Sequence, residues 1–254
     1  MDERTYAMVF ESQAKSSIMR EVWQEAYGDD YPAQADPASF VTSTDLARIE
    51  AALRLGADQD LVDLGCGAGG PGAHVARSLG ARLTGIDPNP VALDFARLRQ
   101  LATLVAGSRF ERGDFAETGL PDGFAGGVMS TDALLFAPDL AAAFREAARI
   151  CRPGGVMAFT TFELREPSPS LGGIGPILDY RPHLESAGFS IEVYEETPDW
   201  EPRMRAVFSG LLDRRDQITA ELGEEVARLT LAWATIRPDE LPDSRRVLAV
   251  ARRS

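Results

Sequence analysis

Lysine is almost missing from this 254-residue chain: Lys15 stands alone, and every other strongly basic side chain is an arginine. Histidine occurs only at His74 and His183, cysteine only at Cys66 and Cys151, and asparagine only at Asn89. Each scarcity excludes something. Two cysteines cannot build a disulfide framework or a cysteine-rich zinc centre, and no metal site is expected. No apolar run approaches the roughly 18 residues of a membrane-spanning helix. Basic residues (26) fall well short of acidic ones (39), giving a net charge of −13. Such a field repels phosphate backbones and anionic lipid surfaces, so neither nucleic acid nor membrane is an expected partner. Met1, Asp2, Glu3 and Arg4 are followed by no long apolar stretch, so no signal-peptide pattern is visible and a reducing, cytoplasmic setting is expected. What is present is ordinary for a globular chain: 44% hydrophobic and 26% charged residues, with length for one or two domains.

Periodicity sets the organisation. Ile18, Met19, Val22, Trp23, Ala26 and Tyr27 recur with helical spacing, and Gly28 to Phe40 reads as a loop. A helix starting near Asp45 buries Leu46, Ile49 and Leu53 and stops at Gly56. Strands are then expected at Leu61–Leu64, Arg82–Asp87, Arg109–Arg112, Val128–Thr131, Val156–Phe162 and Phe189–Glu195. The intervening helices run through Val75 to Leu79, from Asn89 to Ala106 (Val91, Phe95, Leu98, Ala102 and Val105 on one face), and from Pro138 to just before Pro153-Gly154-Gly155. Trp200 to Ile236 reads as two helices, with Trp233 on the second, and Val247–Ala251 as a last strand buried on both faces. Alternating strands and helices mean an α/β fold with a mostly parallel sheet. The expected division is one domain over 1–254: an N-terminal cap at 1–44, a ligand-binding core at 45–196, a helical insertion at 197–243 and the last strand at 244–254.

The chemistry concentrates after the first strand, in Asp63-Leu64-Gly65-Cys66-Gly67-Ala68-Gly69-Gly70. Glycines there allow a sharp turn and close backbone approach, with free N–H groups at a helix start. Gly65, Gly67 and Gly70 also satisfy G-x-G-x-x-G, the dinucleotide fingerprint, so a nicotinamide-dependent oxidoreductase stays open. Asp63 argues the other way, since a carboxylate there repels a pyrophosphate and attracts an ammonium group. Asp87 ends the second strand, where a carboxylate can accept both hydroxyls of a ribose. Asp114 in Gly113-Asp114-Phe115 could take an adenine amino proton while Phe115 packs on the base.

As an ordered set, Asp63–Gly69, Gly85-Ile86-Asp87, Gly113-Asp114-Phe115 and Arg152-Pro153-Gly154-Gly155 resemble the motifs of class I S-adenosylmethionine-dependent methyltransferases, over about residues 45 to 162. The resemblance is nearest to the bacterial branch acting on quinone precursors and natural products. It implies a Rossmann-like sheet with an antiparallel last strand and S-adenosylmethionine as cofactor. It also implies cofactor contacts from Asp63, Gly65, Cys66, Gly67 and Gly69 at the methionine part, from Asp87 at the ribose, from Pro88, Asp114 and Phe115 at the adenine, and from Thr131. A non-catalytic cofactor-binding regulator with the same fold is the other alternative.

Departures from the family narrow the acceptor. The single asparagine leaves no Asp-Asn pair for the magnesium site of catechol-type enzymes, and Ser130-Thr131-Asp132-Ala133 lacks the signature of enzymes methylating exocyclic amines of bases. Many relatives carry a histidine before a Pro-Asp pair, whereas here the stretch is Leu134-Leu135-Phe136-Ala137-Pro138-Asp139. A small, hydrophobic or aromatic acceptor is expected, methylated at O, N or C. His183, at the start of a helix after the loop Glu163–Leu178, is the first candidate base, with Asp132 and Glu163 as alternatives. His74 is read as a packing or surface residue. Trp23, Tyr27, Tyr31 and Phe136 are candidate substrate contacts.

Overall fold

Seven strands share one sheet in the order β3-β2-β1-β4-β5-β7-β6, with β7 antiparallel to both neighbours and the β1–β5 pairings all parallel. The computed structural model describes residues 16–35, 39–103, 107–165, 176–234 and 244–254, without the side chains of 100–103 and 233. In chain order the strands are β1 (Asp60–Leu64), β2 (Arg82–Asp87), β3 (Arg109–Arg112), β4 (Ala125–Thr131), β5 (Cys151–Glu163), β6 (Phe189–Glu196) and β7 (Arg245–Arg253). The helices are α1 (Ser17–Tyr27), α2 (Ser43–Leu53), α3 (Gly70–Leu79), α4 (Pro90–Thr103), α5 (Leu140–Ile150), α6 (Arg181–Ser186), α7 (Trp200–Asp213), α8 (Arg215–Leu222) and α9 (Glu224–Ala234).

Local chemistry explains the element ends. The Ser16 hydroxyl accepts the Met19 amide at 3.1 Å to start α1. Thr42 and Asp45 form a reciprocal capping box at the start of α2, which begins two residues earlier than the apolar periodicity suggests, because a cap precedes the first buried side chain. Asp139, not Pro138, caps α5 through the Ala142 amide at 2.9 Å. Pro153-Gly154-Gly155 lies inside β5, which starts at Cys151, and does not form a connection before it.

Three apolar clusters result. One lies between the sheet and α2, α3 and α4, with Leu46, Val75, Leu83 and Leu93 fully buried. Another lies on the opposite face under α5 and α6. A third joins α1 to α7–α9 and the end of β5 through Val22, Val207, Phe208 and Ile218. On α4 the buried positions are Ala92, Leu93 and Ala96, whereas Leu98 is 63% exposed. The expected face through Val91, Phe95 and Leu98 is therefore rotated by about one residue, since the small alanines let the helix lie closer to the sheet. The region 200–234 forms three helices, not two, broken at Arg214 and Gly223. Val105, Ala106 and Ile236 and the side chains of Ala102 and Trp233 lie outside the described residues.

Candidate active site

β1 is flanked by β2 on one side and β4 on the other, so the strand order reverses there and a crevice opens beyond the carboxyl ends of these strands. The glycine loop forms its floor. The Gly65 and Cys66 amides both donate to the Ile86 carbonyl (2.8 and 3.1 Å), which pins the loop across the end of β2. Gly65 has φ +71°, and a Cβ there would lie 2.5 Å from the Ala133 methyl and 2.9 Å from the Phe115 ring, so only glycine fits.

A cavity of about 450 Å³ sits on this floor, a size typical of small-ligand sites. Its lining runs from Asp87, Pro88 and Asp114 beyond β2 and β3, over Gly65, Cys66 and Gly67, where the Phe115 ring and the Ala133 methyl approach each other, to Thr131, Asp132 and Phe136 beyond β4. Ala68 and Gly70 of the glycine motif also line it, as do Ser39, Pro71 and Pro138, which the sequence does not single out as site residues. Ser39 comes from the segment before α2, which carries no motif of its own. Among the described lining residues there is no arginine, lysine or histidine.

The carboxylates differ in their surroundings. Asp87 Oδ2 accepts the Gly67 amide (2.9 Å) and Oδ1 the Asn89 amide (2.8 Å), so it braces the loop; burial holds its proton affinity above the ordinary range. Asp114 Oδ1 accepts the Ala116 and Glu117 amides at 2.7 and 2.8 Å, leaving Oδ2 for a ligand donor. Asp63 lies one layer down, buried and outside the cavity lining, and neither of its oxygens has a hydrogen-bond partner. Burial, and secondarily the charge of Asp87, pushes its pKa up to about 8; the nearby Gly72 amide offsets little of this and lies outside hydrogen-bonding geometry. The structure therefore places Asp63 beneath the loop and off the cavity wall, where the sequence leads one to expect a direct cofactor contact. Burial also drives the Cys66 thiol well above its usual range, which keeps it protonated and non-nucleophilic. Gly69 is likewise off the cavity wall, in left-handed conformation (φ +74°) against Phe110 at the entry to α3.

Of the candidate bases, the structure brings only Asp132 to the cavity, and it is engaged. Its Oδ1 and Oδ2 accept from Nε and Nη2 of the buried Arg246 (2.9 and 3.2 Å), and Oδ2 also accepts the Phe40 amide (2.9 Å). Glu163 is held by Arg245 and by the Tyr194 hydroxyl. His183 does not line the cavity; its ring stacks on Phe144 with centroids 6.2 Å apart and 11° between planes, because α6 packs on the outer side of α5. His74 Nε2 is 3.2 Å from Glu50, also away from the cavity. Trp23, Tyr27 and Tyr31 belong to the α1–α7 cluster instead of the cavity wall. Two of them act on it indirectly: Trp23 Nε1 donates to the Ser39 carbonyl (3.1 Å) and Tyr27 Oη to that of Phe40 (3.2 Å). Phe136 is on the rim and 40% exposed.

Comparison with known proteins agrees with this geometry. The family described as "Methyltransferase domain" matches residues 62–159, which hold the glycine loop, Asp87, Asp114 and the end of β4. Residues 62–159 thus match a methyltransferase domain. A sterol 24-C-methyltransferase of Neurospora crassa is 32% identical over 99 residues, 39% of this chain and 26% of that protein. The chain thus matches about a quarter of the length of such sterol enzymes. The 27-O-demethylrifamycin SV methyltransferase of Amycolatopsis mediterranei is 28% identical over 74% of this chain and 76% of its own length. Among solved structures, the [4+2]-cyclase SpnF shares the fold with a TM-score of 0.71 and 24% identity, covering 82% of this chain and 79% of that one. The matched core is flanked on both sides by further helices, α1 and α2 before it and α6–α9 after it.

Proposed function

We propose that this chain transfers a methyl group from S-adenosylmethionine to a small, hydrophobic or aromatic metabolite. The observation that carries this reading is the charge of the site: Asp87, Asp114 and Asp132 line a cavity with no basic side chain among its described residues. Such a site suits a cationic nucleoside and offers nothing to a pyrophosphate, which disfavours the dinucleotide-dependent oxidoreductase. When bound, the cofactor supplies an activated sulfonium methyl. Asp87 would hold the ribose, Pro88, Asp114 and Phe115 the adenine, and the Gly65–Gly67 backbone with Thr131 the remainder. Pro138 and Phe136 give the open end an apolar wall that aligns an acceptor and excludes water. The names of the sterol and rifamycin relatives point to acceptors of that character. SpnF, named as a cyclase, frames the alternative of a cavity used without methyl transfer, as does a cofactor-binding regulator. Residues 1–44 are read as an N-terminal cap and 197–243 as a helical insertion, a reading supported by the packing of α1 on α7. A cytoplasmic role in specialised metabolism belongs to the same proposal; among the described residues no helix is long and apolar enough to cross a membrane.

Calorimetry should show micromolar binding of S-adenosylmethionine, with Asp87→Ala weakening it by about 1.5–3 kcal/mol, the scale of a charged hydrogen bond lost. Binding of NADH in its place would overturn the reading. Conversion of the cofactor to S-adenosylhomocysteine with a hydrophobic acceptor present would separate methyl transfer from cyclase or regulator chemistry.

The acceptor is read as bringing its own nucleophile. The chain's two histidines lie off the cavity, and Asp132 and Glu163 are committed to arginines. His183→Ala should therefore leave turnover within about twofold and the pH profile unshifted. A loss of about 10²-fold or more, the size expected for a positioned base, would return that role to His183.

A further inference from the structure

The Asp132 ion pair is one end of a buried three-member network. Arg246, 1% exposed, donates through Nη1 to Asp45 Oδ2 (2.7 Å) at the start of α2 and to the Thr197 hydroxyl (3.2 Å), while its Nε and Nη2 reach Asp132. Two carboxylates share one guanidinium, so the cluster keeps one net negative charge in a region of low dielectric. That charge is not buried blindly. Asp132 lines the cavity, in a left-handed backbone conformation (φ +51°) that a non-glycine residue adopts at a cost. It also fixes Ser39, on the cavity wall, through the Phe40 amide.

The cavity is polarised along its length. With Asp87 and Asp114 at one end taking the ribose and adenine, the opposite end, bounded by Thr131 and Asp132 and open past Phe136, is where the sulfonium would meet the acceptor. We propose that the Asp45–Arg246–Asp132 cluster is a specificity device that favours a sulfonium over a neutral thioether, with Arg246 as the positioning residue that aims Asp132 at it. The inference rests on the S-adenosylmethionine reading above. The cluster holds the charged cofactor before transfer and releases its hold on the neutral product afterwards. A single buried charge within several ångströms, at the effective dielectric of a partly wetted site, is enough for such discrimination.

The test compares S-adenosylmethionine with S-adenosylhomocysteine, which differ at this end by the methyl and its charge. Their dissociation constants are measured by calorimetry on the full chain. Asp132→Asn removes the unit charge at the cavity and should lower the preference for the sulfonium ligand by about tenfold. Arg246→Lys keeps the charge sum and should keep the preference, whatever it does to absolute affinity. Should Asp132→Asn fail to fold, Asp45→Asn removes the same charge farther from the cavity and should lower the preference in the same direction, by less. Equal weakening of both ligands in Asp132→Asn would mean the cluster only shapes the site, and no change in either dissociation constant would mean its charge is not felt; either overturns the proposal. Failure of wild type to bind either ligand would instead overturn the cofactor reading.

Discussion

At pH 8 the ligand-free Asp63→Asn protein is expected to be more stable than wild type, by about 2–4 kcal/mol in urea unfolding. Asp63 is buried with no hydrogen-bond partner, and its pKa lies near 8 against 3.8 for a free aspartate. The folded protein therefore binds a proton that the unfolded chain has released through most of that interval. Stability is fully present below about pH 4 and is lost as pH rises toward 8, by on the order of 5 kcal/mol at the limit. Asparagine carries no charge but leaves a buried amide unsatisfied, which recovers only part of that sum. At pH 4 the advantage should vanish. The opposite effect is expected on the cofactor. A cationic ligand favours the ionised carboxylate beneath the loop, so wild-type binding should tighten as pH rises through 8, and Asp63→Asn should weaken it by about tenfold and flatten that dependence. Parallel stability curves for the two proteins between pH 4 and 8 would show that Asp63 is not the titrating group.

Such a residue is legible in sequence because its neighbours are. Asp63 sits two positions before a glycine run at the end of an apolar strand, and the 24-residue step to Asp87 places both carboxylates at adjoining strand ends. β2 was bounded correctly at Arg82–Asp87, and the Gly65–Gly67 turn had no alternative conformation to adopt. What sequence could not convey is depth and distance. It reads Asp63 as facing a cofactor, whereas Asp63 is buried below the Gly65–Gly67 backbone that lines the cavity. It placed His183 near the site because its helix follows the β5 loop, yet α6 docks on Phe144. On α4, two apolar stripes lie one residue apart, and packing against the sheet chose the one with small residues. Asp132 and Arg246 are 114 residues apart and share no motif, so neither the pairing nor the burial of Arg246 beside an apolar strand had a local signal.

That pairing gives the other large expected effect. Arg246→Met should destabilise the protein by about 3–5 kcal/mol near neutral pH, the cost of leaving buried carboxylates without their partner. Asp45 and Asp132 would then face each other with no cation among their described partners, although Asp45 would keep the Thr42 amide and Asp132 that of Phe40. The physical cause predicts the remedy. Removing one orphaned charge, by Asp132→Asn on the Arg246→Met background, should recover part of the deficit. It should shrink further in the triple variant Arg246→Met, Asp45→Asn, Asp132→Asn, where no charge remains to be buried. A deficit that persists undiminished in the triple variant would assign the loss to packing of the arginine stem instead. The distinction bears on function because the cluster joins three parts of the chain: α2 through Asp45, the cavity rim through Asp132, and β7 through Arg246 itself. If the triple variant regains stability but leaves the amide of Phe40 exchanging faster with solvent, the charges are what hold the Ser39–Phe40 segment over the cavity, and the fold could have done without them.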